Sequence, residues 1–185
     1  MIETTKTKKI TLCAVMMALS AVLSIVPLYQ APYGGTVTLG SMVPLVLVCV
    51  MIEDMRWGVL TCFAYSLLQM MLGFSAPPTG TFAYFVAVVL LDYVAAFTVL
   101  FTVNPVSKIF NNKYFGIVSG TVVACILRFI CHFISGILIW GVYAPEDTPV
   151  WLYSILYNGG YMLPETVITA VIATSIYAAV SRQKK

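Results

Sequence analysis

Four residues with the potential for chemistry recur at every fourth position near the end of a long apolar segment: Arg128, His132, Gly136 and Trp140. Residues four apart lie on the same face of an α-helix, so these four define one stripe. A charged side chain facing lipid tails costs at least ~2.5 kcal/mol, and we therefore expect the stripe to face the protein interior. Gly136 would either leave a recess between planar groups or allow close helix packing.

Two carboxylates are also expected at membrane depth, Asp92 and Glu165. By the helical rise, Asp92 lies ~15 Å inside its segment, a depth between the ~12 Å of His132 and the ~18 Å of Arg128. Asp92 could share a ligand site with these residues, or could form an ion pair with Arg128 that only fixes helix register. Glu165 follows Pro164, which favours a charge placed at a helix start.

Eight aromatic residues are expected at the same end of the helices: Tyr84, Tyr93, Trp140, Tyr143, Trp151, Tyr153, Tyr157 and Tyr161. Each one alone is also typical of the interfacial belt of any membrane protein. A carboxylate, an imidazole and aromatic faces around a recess together indicate a site for a flat, cationic heteroaromatic molecule.

The elements that would position these residues are membrane-spanning helices. Of 185 residues, 61% are hydrophobic and only 9% are charged, against about 25% charged in soluble domains. We predict an all-α membrane protein, with residues 1–185 forming one integral membrane domain. Its six spans are expected near residues 10–28, 39–53, 57–73, 82–103, 115–140 and 161–180.

Charge placement predicts the orientation of the spans. Nine of the ten Lys and Arg residues precede span one, follow span six, or lie between spans two and three or four and five. The loops at residues 29–38, 74–81 and 141–160 contain none. The positive-inside rule therefore places both termini in the cytoplasm, in a multi-pass protein of the bacterial cytoplasmic membrane. The basic N-terminal stretch followed by an apolar run also fits a signal peptide, but the length of the run and the equal hydrophobicity of the rest of the chain favour an uncleaved first helix.

Several functional classes lack support in the sequence. The five cysteines lie in apolar segments without CxxC spacing, so small buried side chains are favoured over disulfides or a metal site. No P-loop, HExxH or GxSxG motif is present, and we expect no enzyme activity. An assembly protein without a ligand is disfavoured by the polar groups gathered at one face.

Four stretches give the chain a specific resemblance: GGTVTLGSMVPL (34–45), LLDYVAAF (90–97), RFICHFISGILIW (128–140) and YSILYNGGYMLPE (153–165). The chain resembles the thiamine-specific substrate-binding (S) components of energy-coupling factor (ECF) vitamin transporters. The resemblance implies a six-helix S-component bundle that captures thiamine from outside. It also implies a membrane coupling protein and two cytoplasmic ATPases as partners, and no cofactor besides the ligand.

Residue by residue, the resemblance implies a ligand site made of Asp92, Tyr93, Arg128, His132, Gly136, Trp140, Tyr153, Asn158 and Tyr84. Some family members carry Glu at the position of Asp92, and some carry a stacking Trp at the position of Gly35. Ala14 and Ala18 match the small-residue face by which S components dock on the coupling protein, although internal packing would also explain them.

Two alternative functions remain open from the sequence. One is a small proton-coupled secondary transporter for a cationic ring compound, with Asp92 and His132 as a proton relay. The other is an S component for a different vitamin or for a thiamine precursor, because of the departures at Asp92 and Gly35.

Overall fold

The computed structural model describes residues 5–52 and 54–183 and contains six helical segments joined by short connections. They are α1 (Lys6–Ile25), α2 (Val43–Met51), α3 (Met55–Leu72), α4 (Phe82–Ile109), α5 (Lys113–Leu138) and α6 (Val150–Arg182). A small hairpin of β1 (Pro27–Gln30) and β2 (Thr36–Thr38) joins α1 to α2. Three residues on which the predicted topology partly rests lie outside the described residues: Glu53, at the end of the second predicted span, and Lys184 and Lys185, after the sixth.

The six predicted helices are confirmed, and four of the described ones are long and apolar enough to cross a membrane: α1, α4, α5 and α6. The nine residues of α2 rise only ~14 Å, about half of the ~30 Å hydrocarbon core. Seven of them are buried, because α2 is apolar all round and packs between α1, α3 and α6. It forms the centre of the bundle.

The last helix differs from the prediction at its start. α6 begins at Val150 rather than near residue 161, so residues 150–160 of the predicted outer loop are helical. Gly159, Gly160 and Pro164 all lie within the helix, and the space around the two glycines is open. The placement of Glu165 at a helix start is therefore wrong: Glu165 is in the middle of α6 and 3% exposed.

The fourth helix is longer than predicted and irregular. α4 continues to Ile109 and contains a π-helical stretch (Val89–Ala95) and a 3₁₀ stretch (Val99–Thr102). The 3₁₀ stretch precedes Pro105, which has no N–H to donate and whose ring would collide with the carbonyl group four residues before it. π-Helical turns inside α-helices frequently occur at functional sites, and this one contains Asp92 and Tyr93.

Close packing between α4 and α5 fixes their relative position. A Cβ atom at Gly120 would lie 2.9 Å from the carbonyl oxygen of Val103, and one at Gly116 would overlap the carbonyl oxygen of Ser107. Small residues allow helix backbones to approach in this way. With their inner ends held together, the outer parts of α4 and α5 bring Asp92 opposite His132.

The hairpin between α1 and α2 was not predicted from the sequence. Its strands pair antiparallel, with Gln30 opposite Thr36, and Ala31 N donates to the carbonyl oxygen of Gly35 at 2.7 Å. The turn contains Tyr33 at a φ of 63° and Gly34 at 106°. A left-handed conformation at a tyrosine stores strain, which the surrounding contacts must compensate.

Candidate functional site

A cavity lies at the end of the bundle where α3 and α5 end and α6 begins, opposite the helix ends that carry the basic residues. Its volume is about 180 Å³, whereas one water molecule needs only ~10–15 Å³. The cavity is therefore large enough for a small organic molecule. Eight of the predicted site residues line it: Asp92, Tyr93, Arg128, His132, Gly136, Trp140, Tyr153 and Asn158.

Asp92 is the centre of a hydrogen-bond network in this cavity. Its Oδ2 accepts from Ser135 Oγ at 2.7 Å and from Trp140 Nε1 at 2.9 Å. Its Oδ1 lies 3.1 Å from His132 Nδ1. Trp140 reaches the carboxylate because α5 ends at Leu138 and the chain turns into a short 3₁₀ helix (Trp140–Tyr143). The network holds a carboxylate in place at membrane depth with both oxygens occupied.

One nitrogen of His132 is unpaired in the described part of the chain. Nδ1 faces Asp92, while the buried Nε2 has no hydrogen-bond partner there. When Nδ1 donates its proton to the carboxylate, Nε2 is an acceptor, since a neutral imidazole has one donor and one acceptor nitrogen. The arrangement therefore offers an acceptor to a ligand N–H group.

Arg128 does not form the ion pair with Asp92 that the sequence allowed. Its Nη1 lies 2.9 Å from Met42 Sδ, and its guanidinium carbon lies 4.6 Å from the centre of the Phe97 ring. Its Nε is buried without a partner. Among the described residues, the carboxylate of Asp92 is paired with His132 and not with an arginine.

Gly136 packs two helices together rather than leaving a recess for a ring. A Cβ atom there would overlap Ser154 Oγ and lie 3.3 Å from Asn158 Nδ2. The space is thus filled by α6, which the absent side chain lets approach α5. The expected recess lies instead beside the glycine, between the helices and the outer segments.

Three aromatic rings stack across the outer side of the cavity. The ring of Tyr33, from the hairpin, lies 4.0 Å from that of Tyr143 at an interplanar angle of 17°. The rings of Tyr143 and Trp140 are 6.3 Å apart at 19°. The strained backbone of Tyr33 therefore carries a contact that joins two outer segments, and nearly parallel faces of this kind can also stack on a flat ligand.

The remaining predicted residues have different surroundings. Tyr93 OH accepts from Ser75 N at 2.8 Å and donates to the carbonyl oxygen of Gly73 at 2.9 Å, which fixes the chain after α3. Asn158 Oδ1 accepts from Tyr161 OH at 2.9 Å. Tyr84 is 37% exposed in the first turn of α4 and is not among the residues that line the cavity.

Sequence reasoning missed several residues that line the cavity, among them Tyr33, Gln69, Ser75 and Ser154. It also missed Ser135, which donates a hydrogen bond to Asp92. Gln69 Nε2 donates to Tyr65 OH, which donates to the carbonyl oxygen of Ser20 at 3.3 Å. Ser135 could have been found from its spacing, because it lies three residues after His132 and so on nearly the same helix face. No sequence signal identifies the others.

Two features lie outside the cavity. Ala14 and Ala18 are both exposed on α1, as a docking face requires. All five cysteines are reduced, with Cys49 and Cys62 sulfur atoms 3.9 Å apart. In the described part of the chain, no group of three or more His, Cys, Asp or Glu side chains is arranged to hold a metal ion.

Apolar helices long enough to cross a membrane, together with this polar and aromatic cavity at one end of the bundle, define a multi-pass membrane protein with a small-molecule site. Comparison with known families makes the class specific. The chain belongs to the thiamine transporter protein family (Thia_YuaJ), whose model matches residues 10–185.

Individual relatives agree with this assignment. Thiamine transporter ThiT of Bacillus subtilis is 32% identical over 187 residues, which cover 93% of this chain and 91% of that protein. ThiT of Lacticaseibacillus paracasei is 43% identical over 54 residues, 29% of this chain and 27% of that protein. A solved structure of ThiT from Listeria monocytogenes has the same fold, with a TM-score of 0.77 at 18% identity over 96% of this chain and 97% of that one.

Membership in a transporter family confirms the S-component-like fold expected from the resemblance and the expectation that the chain is not an enzyme. It also favours transport of thiamine over the two alternatives that the sequence left open. The family match does not test the individual site residues, which stay predictions supported by their positions in the cavity.

Proposed function

We propose that this chain captures thiamine in the cavity from outside the cell, as the substrate-binding subunit of an ECF importer. The observation that carries the proposal is the environment of Asp92, a carboxylate at membrane depth that faces a cavity and has no arginine partner. Ionisable residues inside a membrane mark ligand sites because burying them is otherwise costly. Family membership agrees with the proposal.

The charges of ligand and site would complement each other. Thiamine carries a permanent positive charge on its thiazolium ring, and Asp92 supplies the negative charge. A cation beside a buried carboxylate gains more than in water because the surroundings are less polar. Ser135 and Trp140 hold Asp92 in place before the ligand arrives, so little conformational entropy is lost on binding.

Hydrogen bonds and stacking would orient the second ring. The amino group of the aminopyrimidine can donate to His132 Nε2, and a ring nitrogen can accept from Arg128 Nε; neither protein atom has a hydrogen-bond partner among the residues that the structure describes. Trp140, Tyr143 and Tyr33 offer stacked aromatic faces. When only the ligand can satisfy the buried polar atoms of a site, the site discriminates against analogues that lack the matching hydrogen-bonding groups.

Import would need partners with an energy source. We propose that a membrane coupling protein and two cytoplasmic ATPases supply it, with the coupling protein docking on α1 around Ala14 and Ala18. Exposed small residues let another helix approach closely. The outward direction of the cavity follows from the positive-inside orientation, because the basic residues lie at the opposite helix ends.

The test is a thiamine titration of the purified chain followed by Trp fluorescence, with Asp92→Asn and, as a matched control, Asp147→Asn in the exposed outer connection. We expect Asp92→Asn to weaken binding about 10- to 100-fold, since hydrogen bonds to a charged group contribute ~1.5–3 kcal/mol. Asp147→Asn should bind like the wild type. Folded protein that does not respond to thiamine would refute the proposal.

A second measurement separates the transporter classes. Proteoliposomes containing the chain alone should show no thiamine uptake when a proton gradient is applied. Uptake under these conditions, abolished by Asp92→Asn, would instead support the proton-coupled transporter.

A further inference from the structure

Glu165 is a buried charged residue to which the proposed binding mechanism assigns no role. It is 3% exposed in the middle of α6. Thr38 N and Thr38 Oγ1 both donate to its carboxylate at 2.6 Å, one to each oxygen. Ser41 Oγ lies farther from Oε1, at 3.4 Å. All of these partners belong to the segment that leads from the hairpin into α2.

The direction of these hydrogen bonds is determined by a second contact. Thr38 Oγ1 accepts from Ser41 N at 2.8 Å, so its own proton is free to be donated to Glu165. The carboxylate thus faces donors on both oxygens, an arrangement that an amide of the same shape cannot reproduce. A Gln at this position could still accept from Thr38 N, but it would present its NH₂ group to Thr38 Oγ1, so that bond would have to reverse its direction and neither bond would be charge-assisted.

Glu165 is the deepest member of a row of three on α6 that holds the hairpin. Tyr157, Tyr161 and Glu165 are spaced by four residues and so lie on one face. Gly35 N donates to Tyr157 OH at 3.0 Å. A Cβ atom on Gly35 would lie 2.6 Å from Tyr161 Cδ1, so the two are in close contact.

This row connects Glu165 to the ligand site. Tyr157, Tyr161 and Gly35 line the cavity, and the hairpin turn carries Tyr33. Tyr157 OH also donates to the carbonyl oxygen of Pro32. Fixing Thr38 therefore fixes the strand on which the cavity-lining turn depends.

We propose that Glu165 is a positioning residue for ligand binding: by holding Thr38, it anchors β2 to α6 and so keeps the hairpin turn in place over the cavity. The inference rests on the proposed function for its ligand, but the anchoring itself concerns the free protein. Loss of the Glu165–Thr38 hydrogen bonds should let the hairpin move away from α6 and let the ligand dissociate faster, while the hydrogen bonds of Asp92 stay intact.

The experiment combines two readouts on Glu165→Gln and Thr38→Val, both close in volume to the wild type. Hydrogen exchange followed by mass spectrometry, without ligand, should show faster exchange confined to residues 27–42. Stopped-flow fluorescence should show thiamine dissociating about tenfold faster, a factor equivalent to ~1.4 kcal/mol. Thr38→Ser, which keeps the hydroxyl donor, should restore both readouts to wild-type values.

Glu146→Gln and Thr79→Val, both at exposed positions, serve as matched controls and should change neither readout. Unchanged exchange in the hairpin would overturn the inference, and so would faster exchange throughout the chain, which indicates general destabilisation. Faster hairpin exchange with an unchanged dissociation rate would overturn it as well. If the wild type itself did not bind thiamine, the proposed function would fail, while the exchange data would still decide whether Glu165 anchors the hairpin.

Discussion

Close packing between α5 and α6 at Gly136 makes a prediction whose magnitude follows from the structure. In Gly136→Ala the new methyl group would overlap Ser154 Oγ and lie 3.0 Å from Ser154 Cβ. Rotation of the Ser154 side chain could move Oγ, but it would break the hydrogen bond to the carbonyl oxygen of Phe133 and would leave Cβ too close, so α6 must shift. Overpacking of this kind costs ~1–3 kcal/mol, which lowers the melting temperature of a chain of this size by about 2–12 °C.

The shift should also weaken ligand binding, because the displaced part of α6 contributes Asn158 and Tyr161 to the lining of the cavity. We expect thiamine affinity to fall about tenfold, equivalent to ~1.4 kcal/mol, in isothermal titration calorimetry. The double variant Gly136→Ala, Ser154→Gly places the glycine on α6 instead of α5. It should recover much of the lost thiamine affinity and melting temperature. The recovery is partial because Ser154→Gly removes a hydrogen bond to the carbonyl oxygen of Phe133 and adds a helical glycine.

The matched control is Gly159→Ala, at a helical position where nothing lies within 4 Å of the new methyl group. It should leave thiamine affinity unchanged and stabilise the protein slightly, by ~0.4–1 kcal/mol. Wild-type affinity and melting temperature in Gly136→Ala would refute the packing argument. So would a double variant that is no better than Gly136→Ala alone.

Two further predictions concern the aromatic side of the cavity. Trp140→Phe keeps an aromatic ring but removes the Nε1 donor to Asp92; we expect about tenfold weaker thiamine binding by calorimetry. Tyr33→Gly and Tyr33→Ala both remove the ring that stacks on Tyr143 and should weaken binding to a similar extent. Only Tyr33→Gly also relieves the left-handed backbone, so its melting temperature should exceed that of Tyr33→Ala by the equivalent of ~1 kcal/mol.

The controls for these variants come from the same chain. Trp151 is 54% exposed and is not among the residues that line the cavity, so Trp151→Phe should bind thiamine like the wild type. Equal affinity of Trp140→Phe and Trp151→Phe would show that the indole N–H does not matter. Equal melting temperatures of the two Tyr33 variants would show that the turn is not strained.

The sequence predicted the helices well where hydrophobic patterning determines them, and poorly where tertiary contacts do. The predicted stripe is an example: Arg128, His132 and Gly136 lie on α5 and line one cavity. Trp140 lines the same cavity, but from the 3₁₀ helix that follows α5 and not from the stripe itself. The start of α6 is an example of failure. Gly159, Gly160 and Pro164 are locally unfavourable in a helix, but packing of α6 against α2 and α5 outweighs that preference.

The side chains that contact Asp92 were harder to predict than the depth of Asp92 in the membrane. The rise per residue places Asp92 between His132 and Arg128 in depth, but it gives no information on which way each helix is turned. The π-helical stretch changes the rotation of α4 locally, and Asp92 faces His132 and Ser135 as a result. The anchoring role of Glu165 was also hidden, because its partner Thr38 is 127 residues away in sequence.

Several departures from regular structure lie at the end of the molecule that carries the cavity. They include the left-handed Tyr33, the π-helical turn around Asp92, and the buried nitrogen atoms of Arg128 and His132 that have no partner. Each is unfavourable for folding alone, since strain and unpaired buried polar atoms cost about 1–3 kcal/mol apiece. A sequence selected only for stability would lose them, whereas a binding site needs unsatisfied groups that the ligand can satisfy. The central helix α2 is regular, apolar and largely buried, and its burial contributes to the stability that offsets these costs.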